Sequence, residues 1–231
     1  MRERGRPLPK RTPPPAQMSL SLQDTRPPRV TLSPGAVVLR SYALPQAEAL
    51  VATIHTLAAL APFRSMQTPG GGTMSAALTS CGALGWVTDH TGYHYTHTNP
   101  FTQQPWPALP ELFLHLATTA AQAAGFKNFT PNACLINRYT AGSRMGLHQD
   151  KDEGDFTQPI VSVSLGLPMV FLWGGVSRTT PAFPFLLENG DVVVWGARAR
   201  LHYHGVKPLA AGIHPLTGTV RFNLTFRFVA P

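Results

Sequence analysis

Residues 221–227 read Arg-Phe-Asn-Leu-Thr-Phe-Arg, so polar and apolar side chains alternate along the whole stretch. Successive side chains of a β-strand point to opposite faces of its sheet, and the alternation therefore predicts a strand with one apolar and one strongly polar face. The polar face presents Arg221, Asn223 and Arg227. A guanidinium group binds a carboxylate through two parallel hydrogen bonds, so two arginines on one face predict a ligand with a carboxylate at each end.

Short alternating runs of the same kind fill the second half of the chain. They occupy residues 133–139, 160–166, 169–173, 184–188, 191–195, 200–204 and 220–228. So many short strands without helices between them argue against βαβ units. They predict an α+β, mainly β fold, a double-stranded β-helix or jelly roll. Two helices are predicted before these strands, at about 44–60 and 107–125, and we expect both to pack on one outer face.

The composition predicts one globular domain preceded by a tail. The chain has 231 residues, of which 43% are hydrophobic, and this is enough for a sizeable core over residues 31–231. Residues 1–30 contain seven prolines, seven Lys/Arg and two Asp/Glu, which predicts a disordered basic tail. The formal net charge of +8 favours a polyanionic partner, although most of it lies in this tail.

Cysteine usage and hydropathy indicate the compartment. Cys81 and Cys134 are too few for a disulfide framework, so we expect two reduced, buried thiols. No stretch approaches the roughly 20 apolar residues that a membrane span requires. These features predict a cytoplasmic protein without a membrane partner, and a monomer is the simplest expectation.

A candidate metal site lies at residues 147–153, which read Leu-His-Gln-Asp-Lys-Asp-Glu. His148 and Asp150 are two residues apart, so an extended strand would place both side chains on one face. His204 is the best candidate for a third ligand, although His202 has the same parity and Asp152 the same parity as Asp150. Two histidines and one carboxylate leave open coordination positions, an arrangement that suits non-haem Fe(II) oxygenases.

Aromatic side chains are concentrated in a loop-rich region at about residues 62–108, which glycine and proline interrupt. Trp86, Tyr93 and Tyr95 could stack on nucleic-acid bases, because every base offers a flat face to an aromatic ring. The alternative is that these rings only pack the underside of a β-ribbon.

Taken together, these segments resemble the AlkB family of Fe(II)- and 2-oxoglutarate-dependent dioxygenases that repair alkylated nucleic acids. The resemblance covers about residues 33–228. Its motifs are Thr-Pro-Gly-Gly at 68–71, Cys-Gly-Ala-Leu-Gly-Trp at 81–86, Leu-Ile-Asn-Arg-Tyr at 135–139 and Gly-Asp-Val-Val-Val-Trp-Gly at 190–196. It favours His204 over His202, because the family pattern has Tyr-His-Gly where this chain has residues 203–205.

The resemblance also implies a role for individual residues. It implies Fe(II) as the metal, with 2-oxoglutarate and O₂ as co-substrates. The catalytic metal ligands would be His148, Asp150 and His204. The 2-oxoglutarate-binding residues would be Asn137, Tyr139, Arg221, Asn223 and Arg227. A nucleotide-recognition lid at about 62–108 would cover a jelly-roll core at about 133–228. Substrate contacts would come from Trp86, Tyr93, Tyr95, Asp152 and Arg178.

The implied reaction is oxidative demethylation of N-alkylated bases such as 1-methyladenine and 3-methylcytosine, with release of formaldehyde, succinate and CO₂. The implied partner is alkylated DNA, single-stranded or with the damaged base flipped out, and RNA is a further candidate. The chain departs from the family pattern at Gly72, Leu78 and Gly146, which bears on substrate range and strand grip. The alternative is a 2-oxoglutarate-dependent hydroxylase of a protein or small molecule, which would not need Trp86 or Asp152.

Overall fold

The structure is a computed structural model, and it describes residues 26–230. These residues form thirteen strands and two α-helices. The strands are β1 Arg29–Ser33, β2 Ala36–Leu39, β3 Ala77–Gly82, β4 Gly85–Asp89, β5 Gly92–Thr96, β6 Ala133–Tyr139, β7 Met145–His148, β8 Ile160–Gly166, β9 Met169–Trp173, β10 Phe183–Leu187, β11 Val192–Trp195, β12 His204–Val206 and β13 Arg221–Arg227. The helices are α1 Ala47–Leu60 and α2 Glu111–Ala124.

The strands form two main sheets and one separate ribbon. The larger sheet has seven strands in the order β1-β2-β11-β8-β13-β6-β3, and the smaller has four in the order β10-β9-β12-β7. All of the pairings are antiparallel, and β4 pairs only with β5. This arrangement confirms the predicted mainly β jelly roll.

The alternation of β13 decides which face of the larger sheet is apolar. Phe222, Leu224 and Phe226 lie on the outer face, in one buried cluster with side chains of both helices. Both helices therefore pack on the same outer face, as the sequence predicted. Burying a side chain of this size contributes about 1.5–3 kcal/mol each, so this layer is a main source of stability.

Local sequence explains where the helices begin and end. A short 3-10 turn at Leu44–Gln46, with Pro45 early in it, leads into α1. The second helix begins at Glu111 rather than at residue 107, because Pro110 disfavours helical backbone in the residue before it. Gly125 ends α2 with a φ of 102°, a left-handed conformation that glycine adopts at little cost. Neither helix is long and apolar enough to cross a membrane.

The space between the two sheets is apolar at one end and polar at the other. Val38, Val193 and Trp195 of the larger sheet pack there against Phe171 and Trp173 of the smaller. Further along the larger sheet, the inward-facing positions of β6 and β13 carry amides and guanidinium groups instead. The apolar end holds the sheets together, and the polar end leaves a cavity between them.

The structure differs from the sequence predictions at three places. Of residues 200–204 only His204 lies in a strand: a 3-10 turn at Ala197–Ala199 precedes β12, and the backbone N–H of His202 donates to the carbonyl of Ala199. Residues 62–108 contain β3 of the larger sheet as well as the ribbon. Most of the predicted tail lies outside the described residues, but β1 already begins at Arg29, since Val30 packs on the core between the sheets.

Candidate metal and co-substrate site

Three metal-binding side chains meet at the polar end of the cavity. His148 ends β7, Asp150 follows two residues later, and His204 begins β12, which pairs with β7 so that the two histidines lie opposite each other. The Nε2 atoms of His148 and His204 lie 3.5 and 3.9 Å from Oδ1 of Asp150. All three atoms lie within 4.8 Å of one another. Antiparallel pairing therefore brings together ligands that are 56 residues apart in the sequence.

Hydrogen bonds fix which nitrogen of each histidine faces the cluster. Nδ1 of His148 lies 2.9 Å from the carbonyl of Gly146, and Nδ1 of His204 lies 3.0 Å from the carbonyl of His202. A carbonyl oxygen only accepts, so each Nδ1 carries the proton. The Nε2 lone pairs are then free to bind a metal, and the carbonyls hold the rings in place.

His202 does not join this cluster. Its ring stacks on Trp173 with centroids 5.2 Å apart, and its Nδ1 donates to the carbonyl of Gly174. Parity alone left His202 and His204 as alternatives, and the strand pairing separates them because β12 starts only at His204. Asp152 also lies outside the cluster.

Arg227 holds the second oxygen of Asp150. Its Nη2 and Nε atoms lie 2.8 and 3.2 Å from Oδ2, which leaves Oδ1 directed at the two histidines. Burial opposes ionisation of Asp150, but Arg227 and His148 outweigh it and keep the pKa of this carboxyl well below its usual range. The carboxylate is thus charged and oriented before any metal arrives.

The two histidines differ in their affinity for protons. Burial, and then the neighbouring His148, lower the pKa of His204 to about 4. Burial also disfavours the charged form of His148, but the hydrogen bond and the charge of Asp150 outweigh it, and the pKa of His148 is raised. His204 is therefore neutral at pH 7, as a metal ligand must be.

The second arginine of β13 lacks an anionic partner. Arg221 is only 1% exposed, and no carboxylate among residues 26–230 forms a salt bridge with it. Its Nη2 donates to Ser164 and its guanidinium lies 5.7 Å from the ring of Tyr139, but its Nε has no hydrogen-bond partner. A buried cation without a counter-ion is costly, so this pocket fits the carboxylate of a bound ligand.

Amide groups beside Arg221 complete the polar wall. The side-chain N–H of Asn223 donates to Ser162 and to the carbonyl of Val163, and its oxygen accepts from Asn137 and Thr225. The side-chain oxygen of Asn137 is buried without a partner. The five residues that the resemblance assigns to the co-substrate therefore line one cavity with the metal cluster.

The predicted substrate residues surround the mouth of this cavity. Trp86 and Tyr93 stack on each other with ring centroids 5.4 Å apart, and the indole N–H of Trp86 donates to Asp152 at 3.3 Å. Arg178 lies exposed at the rim, with its guanidinium 5.8 Å from the ring of Tyr203. At the entrance the ribbon thus presents aromatic faces, and Asp152 adds a carboxylate from the segment that follows β7.

Tyr95, which the resemblance assigns to contact with the nucleic-acid strand, also forms a hydrogen bond within the protein. Its hydroxyl donates to Glu153 at 2.9 Å, toward the interior of the protein. Burial raises its pKa well above the usual value, so this hydroxyl stays protonated. Tyr95 anchors the ribbon to the segment that carries Asp150.

The sequence did not predict the roles of Glu153, which accepts the hydrogen bond from Tyr95, and of Arg200, which pairs with Glu153. The sequence assigns no role to Glu153, yet this residue is 2% exposed and forms an ion pair with Arg200 at 2.9 Å. It assigns no role to Arg200 either, which falls within the alternating run at residues 200–204. Nothing in the sequence pattern connects two residues that are 47 positions apart and meet only in the folded chain.

Of the three departures from the family pattern, only Gly146 is among the residues that line the cavity. Leu78 is fully buried in the cluster that packs beneath Trp86. A Cβ at Gly146 would meet no atom within 4 Å, whereas one at the exposed Gly72 would lie 3.2 Å from Oγ1 of Thr68.

Comparisons with known proteins agree with this fold and cluster. Residues 35–227 match the model of the 2OG-Fe(II) oxygenase superfamily, the class that a jelly roll with a His-Asp-His cluster defines. The dioxygenase AlkB of Salmonella typhimurium is 56% identical over 90% of this chain and 96% of its own, and that of Escherichia coli is 55% identical over 88% and 94%. The solved structure of OsALKBH1 covers 87% of this chain and 100% of its own, with a TM-score of 0.76 and 30% identity.

The chain therefore belongs to the AlkB family of 2OG-Fe(II) oxygenases. It is a dioxygenase whose metal is Fe(II) and whose co-substrates are 2-oxoglutarate and O₂. The donor set fits this metal, since two imidazoles and one carboxylate leave three positions open.

Proposed function

We propose that this protein is an oxidative demethylase that repairs N-alkylated bases such as 1-methyladenine and 3-methylcytosine in DNA. One observation carries the proposal. A cavity of about 500 Å³ is lined at its floor by the His-Asp-His cluster and at its mouth by Trp86, Tyr93 and Asp152. The metal cluster and an aromatic, acidic entrance thus share one chamber, and relatives that are 55–56% identical to this chain are named AlkB.

The proposed chemistry separates what the metal supplies from what the chain supplies. When bound, Fe(II) with 2-oxoglutarate activates O₂, so that the co-substrate becomes succinate and CO₂ and the N-methyl carbon gains a hydroxyl group. The C–N bond of the N–CH₂OH group then breaks and releases formaldehyde. Its electron pair returns to the ring nitrogen, the hydroxyl proton passes to solvent, and the neutral, unmodified base remains. His148, Asp150 and His204 would hold the metal. Arg221 and Arg227 would bind the two carboxylates of 2-oxoglutarate.

The entrance suits a base that carries positive charge. Methylation at these ring nitrogens makes adenine and cytosine cationic, and the carboxylate of Asp152 can accept from the exocyclic amine of such a base. Trp86 offers a flat face on which the base can stack. Because Tyr93 now stacks on Trp86, a base that uses the same face would displace the ring of Tyr93. Arg178 would contact the base or the strand from the rim.

The enclosed chamber also constrains the form of the substrate. A base inside a duplex cannot reach the cluster, so we infer that the enzyme acts on single strands or on a base flipped out of the stack. The same argument admits RNA as a substrate. We also propose that the enzyme is a monomer in the cytoplasm, where its two buried thiols, Cys81 and Cys134, stay free.

One measurement tests the proposed function directly. The full chain, loaded with Fe(II), is given 2-oxoglutarate and either an oligonucleotide containing 1-methyladenine or the same oligonucleotide unmodified. We expect formaldehyde in stoichiometric amounts with repaired base only from the methylated strand. Equal succinate release with both strands and no formaldehyde would reject the proposal, and would favour a hydroxylase of a protein or small molecule.

A further inference from the structure

Arg200 is a buried guanidinium group to which the proposed reaction assigns no role. It is 2% exposed, and three of its nitrogens are hydrogen-bonded. Nε donates to the carbonyl of Gln158 at 3.0 Å, Nη1 to the carbonyl of Asp150 at 2.6 Å, and Nη2 to the carboxylate of Glu153 at 2.9 Å. All three acceptors belong to one segment, residues 150–158.

The contacts of Arg200 connect two segments of the chain that carry metal ligands. Arg200 follows the 3-10 turn at Ala197–Ala199 and precedes His204 by four residues. Its guanidinium therefore ties the segment that leads into His204 to the segment that begins with Asp150. These two segments supply two of the three side chains in the cluster, and their spacing sets the distance between the donor atoms.

Arg200 is also connected to the carboxylate of Asp150 through the side chains of Glu153 and Arg227. The Oε2 atom of Glu153 accepts from Arg200, and its Oε1 atom lies 3.3 Å from Nε of Arg227. Arg227 in turn holds Oδ2 of Asp150. Two buried guanidinium groups and two buried carboxylates thus balance in charge, and each one is hydrogen-bonded, so breaking the set would leave an unpaired charge.

We infer that Arg200 is a positioning residue, which with Glu153 sets the placement of Asp150 relative to His204 before the metal binds. The inference rests on the proposed function in one respect, that the cluster binds a divalent metal. Outer groups that orient metal ligands commonly change metal affinity by about 10–100-fold when removed. Arg200 should therefore affect metal affinity although it contacts neither metal nor substrate.

The test is the affinity of the full chain for Mn(II), which reports the cluster without catalysis. Calorimetric titration compares the wild type with R200Q, and with R198Q as the matched control, because Arg198 is exposed and belongs to the same turn. We expect R200Q to bind Mn(II) at least about tenfold more weakly and R198Q to bind within about twofold of the wild type. Circular dichroism at the titration temperature establishes that each variant is folded.

The other variants separate positioning from a general effect on stability. R200K keeps the charge, but one ammonium cannot reach three acceptors in fixed directions, so it should fail to restore affinity. E153Q removes one charge and leaves the backbone contacts of Arg200, so it should weaken Mn(II) binding less than R200Q does. Should R200Q not fold, E153Q decides, and wild-type affinity in E153Q would overturn the inference.

Different results would overturn the positioning role of Arg200 and the proposed function. A folded R200Q that binds Mn(II) as tightly as the wild type overturns the positioning role and leaves the proposed demethylase intact. A wild type that binds no Mn(II) at all rejects the metal cluster itself, and with it the proposed function.

Discussion

At the scale of single residues, His148 and His204 are both predicted metal ligands, but the pKa values of their imidazoles are shifted in opposite directions. In the metal-free protein the pKa of His148 is raised above 6.5, whereas that of His204 falls to about 4. Between these values only His148 carries a proton, and Asp150 carries none, because its pKa lies well below its usual range. A metal must therefore displace one proton in this window.

We expect the affinity for Mn(II) to fall as the pH drops below 6.5, by about tenfold per pH unit down to about pH 4. The sign follows because only the deprotonated imidazole binds a metal. Titration calorimetry in two buffers with different ionisation enthalpies counts the protons released. Two protons per metal, or an affinity independent of pH, would contradict the assignment of the proton to His148 alone.

Replacing Asp150 removes a metal ligand and also leaves Glu153 as the one carboxylate within 4 Å of Arg227 among residues 26–230. We expect D150A to lose demethylation and Mn(II) binding, and to fold with a lower melting temperature, since each lost hydrogen bond to a charged group contributes about 1.5–3 kcal/mol. D150N is the matched control, because the amide oxygen still accepts from Arg227 and should restore part of the stability. Demethylation by D150A at the wild-type rate would show that the ligands are assigned wrongly.

Replacing Trp86 separates substrate recognition from the metal chemistry. Stacking on a base contributes about 1–3 kcal/mol, so W86A should lose about 5–150-fold in kcat/KM for a methylated oligonucleotide. Consumption of 2-oxoglutarate in the absence of DNA should stay close to the wild-type rate, because Trp86 does not touch the cluster or β13. Parallel losses in both measurements would mean that Trp86 acts through packing.

At the scale of elements, the ribbon β4–β5 depends on one close approach. A Cβ at Gly85 would overlap the ring of Trp106 at its Cε2 atom, so this ring lies close to the backbone at the start of β4. We expect G85A to lower the free energy of unfolding by about 1–3 kcal/mol through overpacking. Hydrogen exchange should increase in β4 and β5 more than in β8.

The control for this change is G70A, where an added Cβ would meet nothing within 4 Å. Its stability and exchange should match those of the wild type. A G85A protein as stable as G70A would show that the contact with Trp106 does not orient the ribbon.

The elements also show which parts of the site a sequence can specify. The period of two in β13 correctly placed its polar side chains on one inner face, because that face lines the cavity and the other packs against the helices. Parity could not separate His202 from His204, since it says nothing about where a strand begins. Glu153 meets Arg200 and Tyr95 only where distant segments of the folded chain come together. A local sequence pattern carries no information about such contacts.

At the scale of the whole molecule, a basic segment precedes the residues that form the proposed site. Residues 1–25 hold five Lys/Arg and two Asp/Glu, a net charge of +3, while every residue of the proposed site lies within 26–230. The segment adds an attraction to phosphates that falls with salt, whereas turnover of bound substrate depends on the site. The two properties should therefore respond to different changes in the chain.

A chain that starts at Arg26 should bind unmodified single-stranded DNA more weakly at low salt. The slope of log K against log salt should decrease by about 0.7 for every phosphate that the basic segment neutralises in the full chain, while kcat at saturating methylated substrate stays unchanged. Changing Glu3 and Asp24 to amides is the matched control, and it should strengthen binding at low salt because it makes the same segment more basic. An unaltered salt slope after truncation would mean that residues 26–230 supply all of the electrostatic attraction, and the basic segment would then play no part in finding DNA.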